Sequence, residues 1–277
     1  CRGAPAGQKI VVSTKSRMLM VVTFIEGPQA PREEIPMSAF TTHHGADAGD
    51  RAINPASGMD AVTLLVGDLE TMSSYYAAAF AMEPLEERAL GLEVHRVLGR
   101  GTVPLVRLIH TPGLPPVDPR QAGLFHTAFL FTDQSALAAT VYRAAQDPRS
   151  RFVGSSDHTV SEAFYFTDPE GNGVELYWDR SRTEWSRVHG RVEMATLFLD
   201  PNAFLSEHLT EDAAQGATAK DAASVGHVHL SVGDVATARA FYVDTLGFDE
   251  TAAFGNQAVF VSAGGYHHHM AMNVWNS

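Results

Sequence analysis

Two stretches of the chain share one pattern of apolar and polar positions. Each begins with alternating apolar residues, "VTLLVGD" from Val62 and "VHLSVGD" from Val228, and continues as an amphipathic segment. The alternation predicts a strand, and the period of about 3.6 residues that follows it predicts a helix. The Asp after each strand, Asp68 or Asp234, is placed to accept hydrogen bonds from the free N–H groups of the first helical turn. β-rich sequence then follows both helices.

A fainter third copy begins at Phe125 with "FHTAFLFTDQSALAATVYRAAQ" and continues with "SEAFYFTDP" and "GVELYWD", two strands joined by a Gly-Asn-Gly turn. We therefore predict an α+β fold of repeated βαβββ modules at 58–115, 121–180 and 222–277. A curled sheet of this kind needs a partner for one face, so an even number of modules is expected. Three of an expected four are present, and the chain is predicted to be truncated before a fourth module.

The rest of the chain shows no clear period. Residues 181–221 are expected to be a long connector with about one helical turn. Residues 1–57 are expected to form a disordered N-terminal segment. Within it, "MSAFTTHHGADAGD" resembles a natural start at Met37, so residues 1–36 are interpreted as upstream sequence or the edge of a fragment.

Charge and cysteine content narrow the class of ligand. The net charge is −12, which argues against nucleic acid or an anionic membrane surface as the main partner, because phosphate binding needs clustered Lys and Arg. No stretch approaches the roughly 20 apolar residues of a membrane span. The single cysteine excludes a disulfide framework and a thiolate metal site, and it suits a cytoplasmic protein. A small, uncharged or metal-held ligand fits these numbers best.

Overlaying the modules on their first strands brings two histidines to equivalent positions. Each first strand is followed by a Gly-Asp or Thr-Asp pair at the start of the helix. Counting back five positions from the residue before that pair gives His126 in module two, His227 in module three and Ala61 in module one. Glu175 stands on the last strand of module two. Two His and one carboxylate on facing sheets predict a facial triad suited to Fe(II), although Mn(II) suits the same ligands. The alternative is that each is a structural residue, and the joint pattern favours a metal site.

A histidine tract, "GGYHHHMAMN" from Gly264, precedes the last apolar strand. Alternation would place His267 and His269 on one face and His268 on the other. We expect one of them to face the site.

The segment "DHTVSEAFYFTDPEGNGVELYWD", residues 157–179, is similar to the signature of the type I extradiol ring-cleaving dioxygenases, within the vicinal oxygen chelate superfamily. The signature places a His, an apolar residue with Tyr, Asp-Pro-x-Gly and Glu at set spacings. Here these are His158, Tyr165, residues 168–171 and Glu175. Ser156, two residues before the His, departs from the family's usual choice. The strand that begins at His268 is similar to the family's His-x-Leu/Ile-Ala strand.

The resemblance covers about residues 58–277 and is greatest to the bacterial catechol-2,3-dioxygenase group. It implies Fe(II)-dependent insertion of O₂ into a catechol-type aromatic diol, giving a muconic semialdehyde-type product. In better-known members the ligands come from modules three and four, so their placement here implies that modules two and three pair. The implied metal ligands are His126, His227 and Glu175, and the implied catalytic residues are His268, Tyr165 and His158.

Two other functions stay open at this stage. Metal-dependent lyases, isomerases and transferases of the glyoxalase type use the same fold with His and Glu at these positions. A metal-free small-molecule binding module would keep the His and Glu as structural residues. Tyr165 and the histidine tract favour the dioxygenase. Ring substituents and oligomeric state stay open, with a homo-oligomer as one alternative.

Overall fold

The structure, a computed structural model, describes residues 9–13, 19–25, 52–91, 93–118, 120–215 and 223–275 of the 277-residue chain. Two large sheets and a few helices make up these residues, which confirms the predicted α+β class. None of the helices within these ranges is long and apolar enough to cross a bilayer.

A six-stranded sheet contains the first predicted module and a hairpin that precedes it. Asp68 caps the helix of this module, as predicted, because its carboxylate accepts the Thr71 N–H at 2.9 Å. The elements are β1 (Lys9–Ser13), β2 (Leu19–Ile25), β3 (Gly58–Val66), α1 (Leu69–Phe80), β4 (Glu83–Leu90), β5 (Glu93–Arg100) and β6 (Val103–His110). The strands lie in the order β1-β2-β3-β6-β5-β4, with β3 and β6 parallel.

The N-terminal hairpin corrects one expectation. The prediction of a disordered segment over residues 1–57 is wrong for residues 9–13 and 19–25, which form β1 and β2. Both stretches are rich in residues with a high strand propensity, and pairing of β2 with β3 satisfies backbone groups at an otherwise open sheet edge. The proposed start at Met37 lies outside the described residues.

The second predicted module forms four strands and one helix. Asp133 caps the helix by accepting the Ala136 N–H at 2.8 Å. The turn between the last two strands is built around Asp168, whose carboxylate accepts the N–H groups of Glu170 and Asn172 at 3.0 and 2.9 Å. The elements are β7 (Gly123–Phe131), α2 (Gln134–Gln146), β8 (Arg151–Asp157), β9 (Ser161–Thr167) and β10 (Gly173–Asp179).

The connector after β10 has more regular structure than a single helical turn. Asp200 caps one of its helices, with Pro201 at the first helical position, a start signal that is already present in the sequence. The connector contains β11 (Arg187–Val188), β12 (Arg191–Val192), β13 (Leu197–Phe198), α3 (Pro201–His208) and α4 (Glu211–Ala214).

The third module begins with β14 (Ala223–Ser231) and ends with β15 (Asp249–Phe254), β16 (Ala258–Ser262) and β17 (Met270–Asn273). Between them, α5 (Val235–Arg239) continues directly into a π-helical turn over Ala240–Thr245.

Modules two and three share one nine-stranded sheet in the order β13-β8-β9-β10-β7-β14-β17-β16-β15. The two modules meet where β7 and β14 pair antiparallel, which confirms that they associate with each other. Module one is held to module two by Glu170, whose Oε1 accepts the backbone N–H groups of Gly67 and Asp68, each at 2.9 Å. Strand β14, at the centre of the nine-stranded sheet, also contacts β3 and β6 of module one.

Candidate metal centre

Three neighbouring strands place the predicted ligands on one face of the sheet. Glu175 on β10 and His227 on β14 are both in register with Ala128 on β7, one on each side of it. His126 lies two residues before Ala128 and therefore on the same face. Ala128 is fully buried, and its small side chain leaves room between the three longer ones. Strand pairing thus brings His126, Glu175 and His227 together.

The ligand atoms of these three residues lie within 4.8 Å of one another. Oε2 of Glu175 is 2.9 Å from Nε2 of His126 and 3.1 Å from Nε2 of His227. All three side chains are at least nine-tenths buried. Burial works against ionisation of Glu175, but the two imidazoles outweigh it and hold the pKa of this carboxyl well below its usual range. Burial lowers the pKa of His227, which favours the neutral ring that a metal ligand requires.

The polar atoms of the cluster are not satisfied by protein groups alone. Nε2 of His126 is buried and, despite its 2.9 Å distance from Oε2 of Glu175, has no hydrogen-bond partner among the described residues. Orphaned buried polar atoms cost free energy, so their presence requires an explanation. A divalent cation would accept the lone pairs of both Nε2 atoms and neutralise the negative charge of the carboxylate. Two imidazoles and one carboxylate fit Fe(II) or Mn(II).

Tyr165 and His158 form a hydrogen-bonded pair beside this cluster. Nδ1 of His158 lies 2.8 Å from the carbonyl oxygen of Ala195, which can only accept, so Nδ1 carries a proton. In the neutral ring, Nε2 of His158 then accepts the Tyr165 O–H at 2.7 Å. Burial and the charge of Glu175 raise the pKa of Tyr165 well above its usual range. Tyr165 is therefore a hydrogen-bond donor at neutral pH.

Of the histidine tract, His268 lines the cavity at the site, whereas His267 and His269 do not. The ring centroid of His268 lies 4.0 Å from that of His227. The tract lies in the turn before β17 rather than within the strand, so simple alternation does not apply to it. Burial and the neighbouring imidazoles lower the pKa of His268 well below its usual value, so the ring is neutral at pH 7.

These residues form one wall of a cavity of about 1260 Å³. All three modules and the connector contribute to its lining, and much of it is apolar, including Leu114, Val117, Phe254, Phe260 and Trp275. This volume is far larger than a single metal ion needs, so the cavity has room for an organic ligand.

His229 is a cavity residue that sequence reasoning missed. Its ring centroid lies 4.9 Å from that of His126, and its Nε2 is 2.8 Å from Nδ2 of Asn273. The signal was present in "GHVHL", because residues two apart on a strand face the same side, so His229 follows His227 into the site.

Comparison with known proteins agrees with the fold. The sequence model of the Glyoxalase/Bleomycin resistance protein/Dioxygenase superfamily matches residues 58–176 and 224–276. A curated relative, "Catechol-2,3-dioxygenase" of Bacillus subtilis (strain 168), is 41% identical over 155 residues, which are 55% of this chain and 53% of the relative. The chain thus matches about half the length of that relative.

A solved structure, a putative dioxygenase from Bacillus subtilis subsp. subtilis str. 168, superposes with a TM-score of 0.52 at 14% identity, covering 78% of this chain and 63% of that one. At this identity the likeness concerns the fold alone. The match of the superfamily model to most of the chain settles the family: the chain belongs to the Glyoxalase/Bleomycin resistance protein/Dioxygenase superfamily, the vicinal oxygen chelate superfamily.

Proposed function

We propose that this protein is an Fe(II)-dependent extradiol dioxygenase that inserts O₂ into a catechol-type aromatic diol and gives a muconic semialdehyde-type product. One observation carries the proposal. A buried cluster of two His and one Glu stands at the wall of a large cavity, and the same cavity is lined by His268, Tyr165 and His158. The name of the 41% identical relative supports the same chemistry.

His126, His227 and Glu175 would hold the metal. When bound, Fe(II) supplies a redox-active Lewis acid that lowers the pKa of a catechol hydroxyl and couples oxidation of the ring to reduction of O₂. The single carboxylate offsets part of the cationic charge. The three residues come from three adjacent strands of one sheet, so they would hold the metal at the cavity wall, beside the space for substrate.

The cavity residues would manage protons and charge. The neutral ring of His268 would accept a proton from a substrate hydroxyl and later return it to the product, as a general base and then a general acid. Tyr165, un-ionised and buried, would turn its one O–H from Nε2 of His158 to a substrate oxygen as negative charge develops there. The apolar lining would exclude water and hold the ring face.

We infer a cytoplasmic enzyme with no nucleic-acid partner from the single cysteine and the net charge of −12. A role in aromatic compound catabolism would follow from the proposed activity. Its partners would be a small aromatic diol and O₂, and a homo-oligomer is one open alternative.

The test is anaerobic reconstitution with Fe(II), followed by addition of catechol and then of O₂. The proposal expects a yellow product and consumption of O₂ and diol in equal amounts, both dependent on Fe(II). A glyoxalase-type enzyme would bind metal and open no ring. A metal-free binding module would take up no stoichiometric metal. Either result would remove the dioxygenase assignment.

A further inference from the structure

A buried chain of hydrogen bonds runs from His268 away from the cavity. Nδ1 of His268 lies 2.7 Å from Nδ1 of His267. Nε2 of His267 lies 2.9 Å from Oδ1 of Asp179, the last residue of β10. The side chain of His267 is 1% exposed and that of Asp179 is 17% exposed, so the hydrogen-bond chain ends close to the surface.

The carboxylate at its far end sets the direction of every bond. Oδ2 of Asp179 accepts the Tyr266 O–H at 2.8 Å, and Oδ1 accepts from Nε2 of His267, because an ionised carboxylate can only accept. When the His267 ring carries a single proton, that proton lies on Nε2, toward Asp179, and Nδ1 presents a lone pair. The short contact between the two Nδ1 atoms then requires that Nδ1 of His268 carries a proton and donates it. The lone pair of His268 is left on Nε2.

We infer that Asp179 and His267 are positioning residues that hold His268 in the tautomer with a proton on Nδ1 and a free lone pair on Nε2. The catalytic part of this inference rests on the proposed function. In a histidine, the hydrogen bond made by one ring nitrogen fixes the state of the other. When a substrate O–H bond breaks, its proton forms the new Nε2–H bond of His268. The Nδ1–H bond is unchanged, and the positive charge that forms on His268 is stabilised by Asp179 through His267.

The surroundings hold this chain in place. The ring of His267 packs between those of Tyr266, Trp185 and Tyr177, at centroid distances of 4.1, 5.3 and 6.1 Å. The Tyr177 and Tyr266 hydroxyls are 2.6 Å apart, and Tyr177 donates because the Tyr266 O–H is already committed to Asp179. Neither Asp179 nor His267 lines the cavity, so both act through His268 and neither touches substrate.

The direct test is the tautomer of His268, read by long-range ¹H–¹⁵N correlation NMR of the full chain with labelled histidine, metal-free and with Zn(II), which is diamagnetic. His268→Gln assigns the signals by removing them. We expect Nδ1 of His268 to be protonated and Nε2 to be unprotonated. In Asp179→Ala, the opposite tautomer should become populated.

The kinetic arm compares Asp179→Ala with Glu162→Ala. Glu162 on β9 is a matched control, because its carboxylate is 12% exposed and pairs with Arg180 away from the cavity. Asp179→Ala should lower kcat by about 10- to 100-fold and leave KM within about 2-fold of the wild type, and Glu162→Ala should change neither. His267→Phe keeps an aromatic ring in the same place and should repeat the loss of kcat, which covers the case that Asp179→Ala fails to fold.

The outcomes separate this inference from the proposed function. A proton on Nε2 rather than Nδ1 of wild-type His268 overturns the inference whether or not any diol is cleaved. An unchanged kcat in both Asp179→Ala and His267→Phe overturns the positioning role. The same loss of kcat in Glu162→Ala would also overturn the positioning role, because the loss in Asp179→Ala would then reflect general destabilisation of the protein. If no diol is turned over while His268 shows the expected tautomer, the function fails and the hydrogen-bond assignment stands.

Discussion

Gly226 directly precedes the proposed ligand His227, and it has no room for a side chain. A Cβ atom at this position would lie 1.7 Å from the hydroxyl oxygen of Tyr177, 2.7 Å from its Cζ and 3.1 Å from Cβ of Leu130. Tyr177 cannot swing aside easily, because it is fully buried and its hydroxyl is bonded to Tyr266. Gly226→Ala must therefore displace either the Tyr177 ring or the backbone that carries His227.

The expected cost follows from these contacts. Overpacking a rigid core costs about 1–3 kcal/mol, and the loss of the Tyr177–Tyr266 hydrogen bond adds about 1 kcal/mol. Because Tyr177 is rigid, we expect the free energy of unfolding to fall by about 3 kcal/mol, which lowers the Tm by about 5 °C for a protein of this size. Displacement of His227 should also weaken binding of Fe(II).

Thermal unfolding followed by circular dichroism, with and without Fe(II), measures both effects. Gly233→Ala is the matched control, because nothing lies within 4 Å of a Cβ atom placed there, and its Tm should match the wild type. The double variant Gly226→Ala/Tyr177→Phe should recover part of the loss, since it removes the nearest clashing atom. A Gly226→Ala protein as stable as the control would refute the packing described around His227.

Three further predictions concern pH, catalysis and the contact between modules. Nδ1 of His269 accepts the Ala263 N–H, and burial lowers the pKa of this ring to about 4. Between pH 6.5 and 4 the folded state therefore binds fewer protons than the unfolded chain, so stability is lost as pH falls. On lowering the pH from 7.5 to 4.5, urea unfolding of His269→Gln should lose about 2 kcal/mol less than the wild type; equal losses would contradict this. Tyr165→Phe should keep its iron and lose about 100-fold in kcat, and loss of the iron instead would make Tyr165 part of the metal site. Glu170→Ala leaves two backbone N–H groups of module one without their acceptor and should cost about 2 kcal/mol in chemical denaturation; an unchanged midpoint would mean that the contact does not hold the modules together.

The sequence predicted the elements that are governed by local rules. The caps at Asp68 and Asp234 and the alternation of the first strands follow from residues that are close together along the chain. Overlaying repeats then paired His126 with His227, because equivalent positions of two modules that meet edge to edge lie near each other.

Features that depend on distant contacts were missed. The hairpin of β1 and β2 is stabilised by pairing with β3, about 40 residues away, and nothing local indicates that partner. The hydrogen bond between His267 and Asp179 joins residues 88 positions apart. His229 is an exception, because it lies two residues after His227 on β14 and strand alternation alone places it on the same face. Which histidine of the tract faces the cavity was not predictable, since the tract lies in a turn.

The central claim is that His126, Glu175 and His227 hold one metal ion. Anaerobic titration with Fe(II), followed by removal of free metal and iron analysis, tests it directly in the wild type, in His227→Ala and in His208→Ala, a control on α3 outside the cavity. We expect about one Fe(II) per chain in the wild type and the control and essentially none in His227→Ala, with the same circular dichroism in all three. Full retention of iron by a folded His227→Ala protein would contradict the ligand assignment.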